Sequence, residues 1–318
     1  MTGNTVSDSG ADQHPCFNAV AGGLYGRIHL PVAPSCNVQC IYCNRSHDCV
    51  HESRPGVSSR LLEPEEALFI LEEALSRMPF LTVAGIAGPG DPFSDPGRTL
   101  RTFELVRQRY PRLQLCVSSN GWNILPFIEE LRDLKVGHVT ITVNSVDPAV
   151  GKRIYAWIRD GNVLIRGREA AGRLMELQMR TIPRLKSEGI RVKVNTVVIP
   201  GINETHAMDI ARRVASAGAD LMNLIGLIPV PGTPLENTSP PTESFLNRLR
   251  TSAEAFLPQM RHCARCRSDA VGYLHGKPRC GASRLGPLQE GSGASARETV
   301  DGVSCAIAKP EHVDRGMR

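Results

Sequence analysis

Cys36, Cys40 and Cys43 stand at C-x3-C-x2-C within the stretch CNVQCIYC. Spacings of four and three residues let one short loop aim three thiolates at a common point. Two chemistries want such a set. A tetrahedral zinc site takes four ligands, and Cys49 would complete one. A cubane [4Fe–4S] cluster held by only three cysteines keeps one iron open for a substrate or cofactor. Plain buried thiols are the third reading. The first residues, MTGNTVSDSGADQ, lack the basic and apolar regions of a secretory signal. The expected compartment is therefore a reducing cytoplasm, where close-set cysteines more often ligate metal or catalyse than form disulfides.

Seven further cysteines, at 16, 49, 116, 263, 266, 280 and 305, exceed what one such loop uses. Cys16 lies in HPCFN (14–18), before the first strand pattern. Cys49 lies in RSHDCVHESRPGV (45–57), directly after the three-cysteine loop. Cys116 falls two residues before Ser118, so it should reach the same end of the sheet as the loop. MRHCARCRSDAVG (260–272) supplies a C-x2-C with Cys263 and Cys266. His29 alternates with apolar neighbours and can face either the core or the mouth. Glu52 is a candidate weak carboxylate ligand. Its alternative, an exposed ion pair with Arg54, is worth at most ~1 kcal/mol.

The elements that must position these groups repeat in a regular way. Strand patterns fall at 26–33, 81–88, 113–119, 138–145, 191–200 and 221–229. Helical patterns at 63–78, 99–110, 124–134, 167–189 and 206–218 lie between them, and another at 242–260 follows the last strand. Such alternation predicts a parallel α/β architecture. Six units are too few for a complete eight-fold barrel. A partial (β/α)6 barrel or a doubly wound sheet remains, and either gathers its reactive residues at the C-terminal ends of the strands. The 318 residues carry a net charge of +5, spread rather than clustered, so nucleic-acid binding is not implied. No apolar run approaches the about 20 residues of a membrane-spanning helix.

C-x3-C-x2-C with Tyr42 just before the last cysteine resembles the radical S-adenosylmethionine (SAM) superfamily. The resemblance implies an α/β fold of the partial (β/α)6, TIM-like kind. It also implies a [4Fe–4S] cluster on Cys36, Cys40 and Cys43 whose open iron chelates SAM, with reductive cleavage to a 5′-deoxyadenosyl radical. AGPGDP (87–92) occupies the place of the family's glycine-rich segment, with Gly88 and Gly90 at the backbone contact and Asp91 where glutamate is usual. SSNG (118–121) resembles the contacts to the SAM carboxylate and ribose, through Ser118, Ser119 and Asn120. VKVNTVVIPGIN (192–203) resembles the ribose and adenine segment, with Asn195 its polar contact. Asn144, in TITVNSVDP, is a further candidate.

Over residues 14 to 274 the longer stretches, among them GRIHLPVAPSCNVQC, DCVHESRPGV, AGPGDPF, IYAWIR, IPVPGTP and RHCARCRSDAVG, resemble the NifB family of nitrogenase cofactor maturases. That resemblance implies two further [4Fe–4S] clusters as substrate, fused with a SAM-derived carbide into an [8Fe–9S–C] precursor. It implies Cys16 and Cys116 on one cluster, with His14 as a candidate third ligand, and Cys49, Cys263 and Cys266 on the other. Few protein ligands per cluster would favour release of the product. Implied partners are cluster-delivery proteins, a cofactor carrier or scaffold, and an electron donor such as a ferredoxin or flavodoxin. The expected division is a cluster-binding extension over 1–23, the barrel over 24–235, a helix with the second cluster-binding segment over 236–280, and a tail over 281–318.

Two departures qualify the match. The chain stops at Arg318, too soon for the NifX-like domain that many relatives carry, so a stand-alone form is expected. Cys263, Cys266 and Cys280 form C-x2-C-x13-C, similar to the molybdopterin-synthesis enzymes of the MoaA family, although the GGEP of that family is absent. A radical SAM enzyme acting on a small organic substrate, and a non-enzymatic iron–sulfur carrier or zinc-stabilised domain, are the competing expectations.

Overall fold

The computed structural model describes residues 13–44 and 57–274. Cys49, Glu52, Cys280 and Cys305, and with them the readings that rest on them, lie outside the described residues. Six parallel strands carry the fold: β1 (Gly26–His29), then β3 (Leu81–Ile86), β4 (Gln114–Ser119), β5 (Val136–Thr142), β8 (Arg191–Val198) and β9 (Leu221–Gly226). They pair in that order, and a two-residue strand β10 (Val271–Gly272) adds antiparallel to the outer edge of β1. Among the described residues no pairing links β9 back to the β1 edge. The curled sheet is therefore a partial barrel, as the family resemblance implies, and not the doubly wound sheet that the six repeats left open.

Helices α2 (Pro64–Arg77), α3 (Pro96–Arg109), α4 (Ile128–Asp133), α6 (Gly167–Ser187) and α7 (Ala207–Ser216) connect or cover the strands, and α8 (Glu243–Ala253) follows β9. Short helices α1 (Ala21–Leu24) and α5 (Pro148–Gly151) serve as turns. The start of α2 is fixed locally. Pro64 is preset for the first turn, and Glu63 and Glu66 form a reciprocal capping box. Leu115 and Val117 of β4, Val192 and Val194 of β8, and Met222 and Leu224 of β9 pack on the helix side of the sheet in one core. Alternation then turns Cys116 and Ser118, Lys193 and Asn195, and Asn223 the other way, into the barrel. Among the described residues no helix is long and apolar enough to cross a membrane.

A second sheet was not legible from the strand patterns. β2 (Val38–Cys40) pairs antiparallel with β6 (Tyr155–Asp160), which pairs with β7 (Val163–Ile165). Cys40 thus sits in a strand, opposite Tyr155, rather than in an irregular loop.

Candidate functional site: a two-tier barrel interior

The three-cysteine segment is closed by its own side chains. Gln39 Nε2 donates to the carbonyls of Cys40 at 3.0 Å and Cys43 at 2.7 Å. The Cys43 N–H reaches back to the Cys40 carbonyl at 3.1 Å. Asn120 Nδ2 donates to Asn37 Oδ1 at 2.7 Å and lies 3.6 Å from Cys36 Sγ, tying this segment to the end of β4. All three thiols line a cavity of about 230 Å³ at the C-terminal ends of the strands.

Across that cavity stand Gly90 and Asp91 after β3, Ser118, Ser119 and Asn120 from β4, and Asn195 from β8. Val197, Ile225 and Ile228 give the cavity an apolar wall. Asp91 is buried and fully engaged. It accepts from the Phe93 N–H at 2.9 Å, the Asn120 N–H at 2.6 Å and the Ser119 hydroxyl at 3.1 Å. Burial raises its pKa, and those same hydrogen bonds oppose the rise. Asp91 therefore organises the turn around Asn120. Gly90 gives its room to the cluster loop: a Cβ there would lie 2.0 Å from the Ser35 carbonyl oxygen.

Two candidates stand back from the cavity. Asn144 is completely buried behind Tyr42, donating to its hydroxyl at 2.7 Å and accepting from the Val197 N–H at 2.9 Å. It braces the wall and does not line it. Gly88 gives way to the C-terminal segment, since a Cβ would fall 2.6 Å from Ser268 Oγ. Burial, and next the Cys40 sulfur, raise the Tyr42 pKa well above its ordinary value, so Tyr42 stays a neutral phenol.

Cys116 does not reach this cavity. It lies two residues upstream of Ser118 on the same face, about 7 Å deeper in the barrel, where Gly85 leaves space for it. A Cβ on Gly85 would sit 2.6 Å from Cys116 Sγ and 3.3 Å from the His29 ring. Cys16 enters on the segment below, and Cys263 and Cys266 enter on the segment that follows α8. Cys16, Cys263 and Cys266 pack around one small cluster with Met260 and Leu274. Cys16 feels the charges of Cys266 and Cys263, and Cys116 that of Cys16. The thiols assigned to separate clusters thus share one region inside the barrel, the lower chamber. All four keep accessible surface although burial raises the Cys16 and Cys116 pKa values, the latter to about 12. Metal binding would displace the protons of such thiols.

The C-terminal segment is held by a buried ion pair. Arg267 Nε meets Asp269 Oδ1 at 2.8 Å, and Asp269 Oδ2 accepts from the Ser59 N–H at 2.8 Å. Three imidazoles face the chamber with different readiness. His14 Nδ1 accepts from the Cys16 N–H at 3.1 Å, which puts the neutral ring's proton on Nε2 and leaves that nitrogen no lone pair for iron. In the metal-free chain His14 is thus less ready to ligate than His29. His29 is the reverse: Nδ1 can only donate to the Arg267 carbonyl, 3.0 Å away, which frees Nε2 as a base. Burial lowers the His29 pKa to about 4, so the ring is neutral at pH 7. Asn223 joins the tiers, with Nδ2 3.2 Å from both Asn195 Oδ1 and Cys263 Sγ. Asn223, Arg27, Lys193 and His138 were missed as site residues. Their signal was a lone polar residue on the inward face of an apolar strand.

Among the described residues no three His, Cys, Asp or Glu side chains close in on a point fit for one metal ion. Cys36, Cys40 and Cys43 share one cavity wall, and cysteine thiolates are the protein ligands that iron–sulfur clusters take. The family model for the radical SAM superfamily matches residues 30–214. The chain belongs to the radical SAM superfamily.

Its relatives within that superfamily are specific. This radical SAM chain is 49% identical over 261 residues to the FeMo cofactor biosynthesis protein NifB of Chlorobaculum tepidum, covering 82% of this chain and 62% of that protein. Against the NifB of Herbaspirillum seropedicae it is 46% identical over 265 residues, covering 82% of this chain and 50% of that protein. The chain therefore spans about half to three fifths of the length of these relatives. The crystal structure of Streptococcus suis SuiB bound to S-adenosylmethionine superposes with a TM-score of 0.54 at 12% identity, over 74% of this chain and 50% of that one. That likeness supports the radical SAM fold alone.

Proposed function

We propose that this radical SAM protein builds a nitrogenase-type metallocofactor precursor, taking iron–sulfur clusters as substrate in the lower chamber and SAM in the upper cavity. The observation that carries this reading is the meeting of Cys16, Cys116, Cys263 and Cys266, from three separate segments, directly beneath the cavity of Cys36, Cys40 and Cys43. A small organic substrate would need no such set of thiols.

Cys36, Cys40 and Cys43 would hold a [4Fe–4S] cluster, which when bound supplies the electron that cleaves SAM. This chain's own residues do the positioning. Asn120 orients the Cys36 edge of the loop, Ser119 and Asp91 fix the turn that carries Asn120, and Asn195 offers an amide to the sugar end. Val197, Ile225 and Ile228 keep water from the reacting region. Below, His29 Nε2 and the four thiols would hold two substrate clusters, three clusters in all, with Asn223 linking the chamber to Asn195. Sparse ligation suits a substrate that must leave as one fused [8Fe–9S–C] product. The proposed setting is the cytoplasm, with cluster-delivery proteins, a carrier or scaffold, and a ferredoxin- or flavodoxin-type electron donor.

Iron counting on anaerobically reconstituted protein tests the proposal. About twelve irons per chain, with both S-adenosylhomocysteine and 5′-deoxyadenosine formed on adding SAM and dithionite, is expected for three four-iron clusters. About eight irons and deoxyadenosine alone would point to an organic substrate.

A further inference from the structure

Among the described residues the lower chamber contains two buried cations and no anion to match them. Arg27 is 4% exposed and Lys193 7% exposed. Arg27 Nη1 donates to the carbonyls of Gly272 and, at 3.1 Å, Tyr273, which clamps β10 to β1. Its other arm is not spent on structure: Nη2 lies 2.6 Å from Cys266 Sγ. Lys193 has still less. Its nearest hydrogen-bonding atom is the Met260 sulfur at 4.0 Å, and the Phe17 ring centre lies 5.9 Å away. Among the described residues no carboxylate forms an ion pair with either side chain.

A thioether and a ring face compensate poorly for the hydration that a buried ammonium gives up. The other titratable groups near Lys193 among the described residues do not relieve the imbalance. His14, His29 and His138 are kept neutral by burial, and Cys16 and Cys116 are protonated in the cluster-free chain. Both cations act on Cys16 and on Cys116. Each thiol that binds iron gives up a proton and gains a negative charge, so occupation of the chamber would supply the missing anions.

We propose that Arg27 and Lys193 are counter-cations for the anionic iron–sulfur substrate of the lower chamber. This deepens the maturase reading and rests on it. Arg27 also holds β10, so Lys193 is the clean probe. A cation beside a cluster favours the reduced, more negative state and resists ligand loss. In the empty chamber the same cation is an uncompensated burden. Its removal should therefore shift the empty and loaded proteins in opposite directions, which no merely structural lysine would do.

The experiment compares the full-length parent, Lys193→Met and Lys193→Arg, each cluster-free and each reconstituted anaerobically with ferrous iron and sulfide. Lys193→Met is expected to raise the melting temperature of the cluster-free chain. In the loaded chain it should move the auxiliary-cluster midpoint potential to more negative values and speed iron loss to a chelator about tenfold. Lys193→Arg should restore both loaded properties. The SAM-cluster signal, recognised by its response to added SAM, should stay unmoved. A Met variant that melts lower when empty and keeps the parental potential when loaded overturns this inference alone. A parent that takes up no iron beyond the SAM cluster overturns the maturase reading, and this inference with it.

Discussion

The buried amide of Asn144 holds the Tyr42 hydroxyl at 2.7 Å and, through its oxygen, the Val197 N–H at 2.9 Å. One side chain just after β5 thus fixes both the residue next to Cys43 and an apolar wall of the cavity. Asn144→Ala leaves the Val197 N–H without its side-chain partner and leaves the Tyr42 hydroxyl only its contact with Cys40, at about 1–3 kcal/mol for an unsatisfied buried group. Calorimetry should show a loss of about 3 kcal/mol in stability, together with weaker SAM binding. Tyr42→Phe removes one partner only and should cost about 1 kcal/mol. Equal effects from the two changes would show that Val197 does not depend on Asn144.

Two glycines separate the tiers by experiment. Gly85→Ala drives a methyl to 2.6 Å from Cys116 Sγ, and Gly90→Ala drives one to 2.0 Å from the Ser35 carbonyl oxygen. The sulfur sits at the end of a rotatable side chain, whereas the carbonyl belongs to the backbone leading into Cys36. Gly85→Ala should keep the SAM-responsive cluster and lose iron from the lower chamber. Gly90→Ala should lose the SAM-responsive signal first. Iron analysis with paramagnetic resonance before and after adding SAM reads both, and a reversed pattern would refute the tier assignment.

Much of this arrangement was legible in the sequence because it rests on periodicity and spacing. The six parallel strands follow from alternating patterns, and the three-cysteine segment from C-x3-C-x2-C, whereas the strand order comes from the structure. What was not legible depends on groups that meet only after folding. β2 is three residues long and exists because β6 pairs with it, more than a hundred residues later. The depth of Cys116 follows from the absence of a side chain on Gly85, a neighbour in the sheet and not in the chain. The choice between His14 and His29 turns on which ring nitrogen meets a donor and which an acceptor. A one-letter code does not carry that.

Asp91 converts a loop into a positioned one by accepting from Phe93, Asn120 and Ser119 at once. Asp91→Asn turns one acceptor oxygen into a donor facing donors. It should cost about 2–3 kcal/mol of stability and displace Asn120 from Cys36. SAM affinity, measured by the resonance shift on titration, should fall further than in Ser119→Ala, which removes one of the three bonds. Similar affinities in the two variants would show that the carboxylate does not set the turn.

Neutral buried imidazoles also set an acid limit on the empty chain. Burial lowers the His138 pKa to about 3, with Arg191 next in effect, and the His29 pKa to about 4, with Arg27 next. Both rings titrate near 6.5 when unfolded. The folded chain therefore binds fewer protons, and the associated stability is present above pH 6.5 and lost as pH falls from there towards 4 and then 3. Each ring contributes a slope of up to about 1.4 kcal/mol per pH unit in that window. Denaturant unfolding of the cluster-free chain should thus show stability falling steeply below pH 6.5. In His138→Gln the slope should flatten by about one proton between pH 4.5 and 6. Superimposable pH profiles for parent and variant would mean that His138 is already charged in the folded chain, and that the chamber is wetter than its packing indicates.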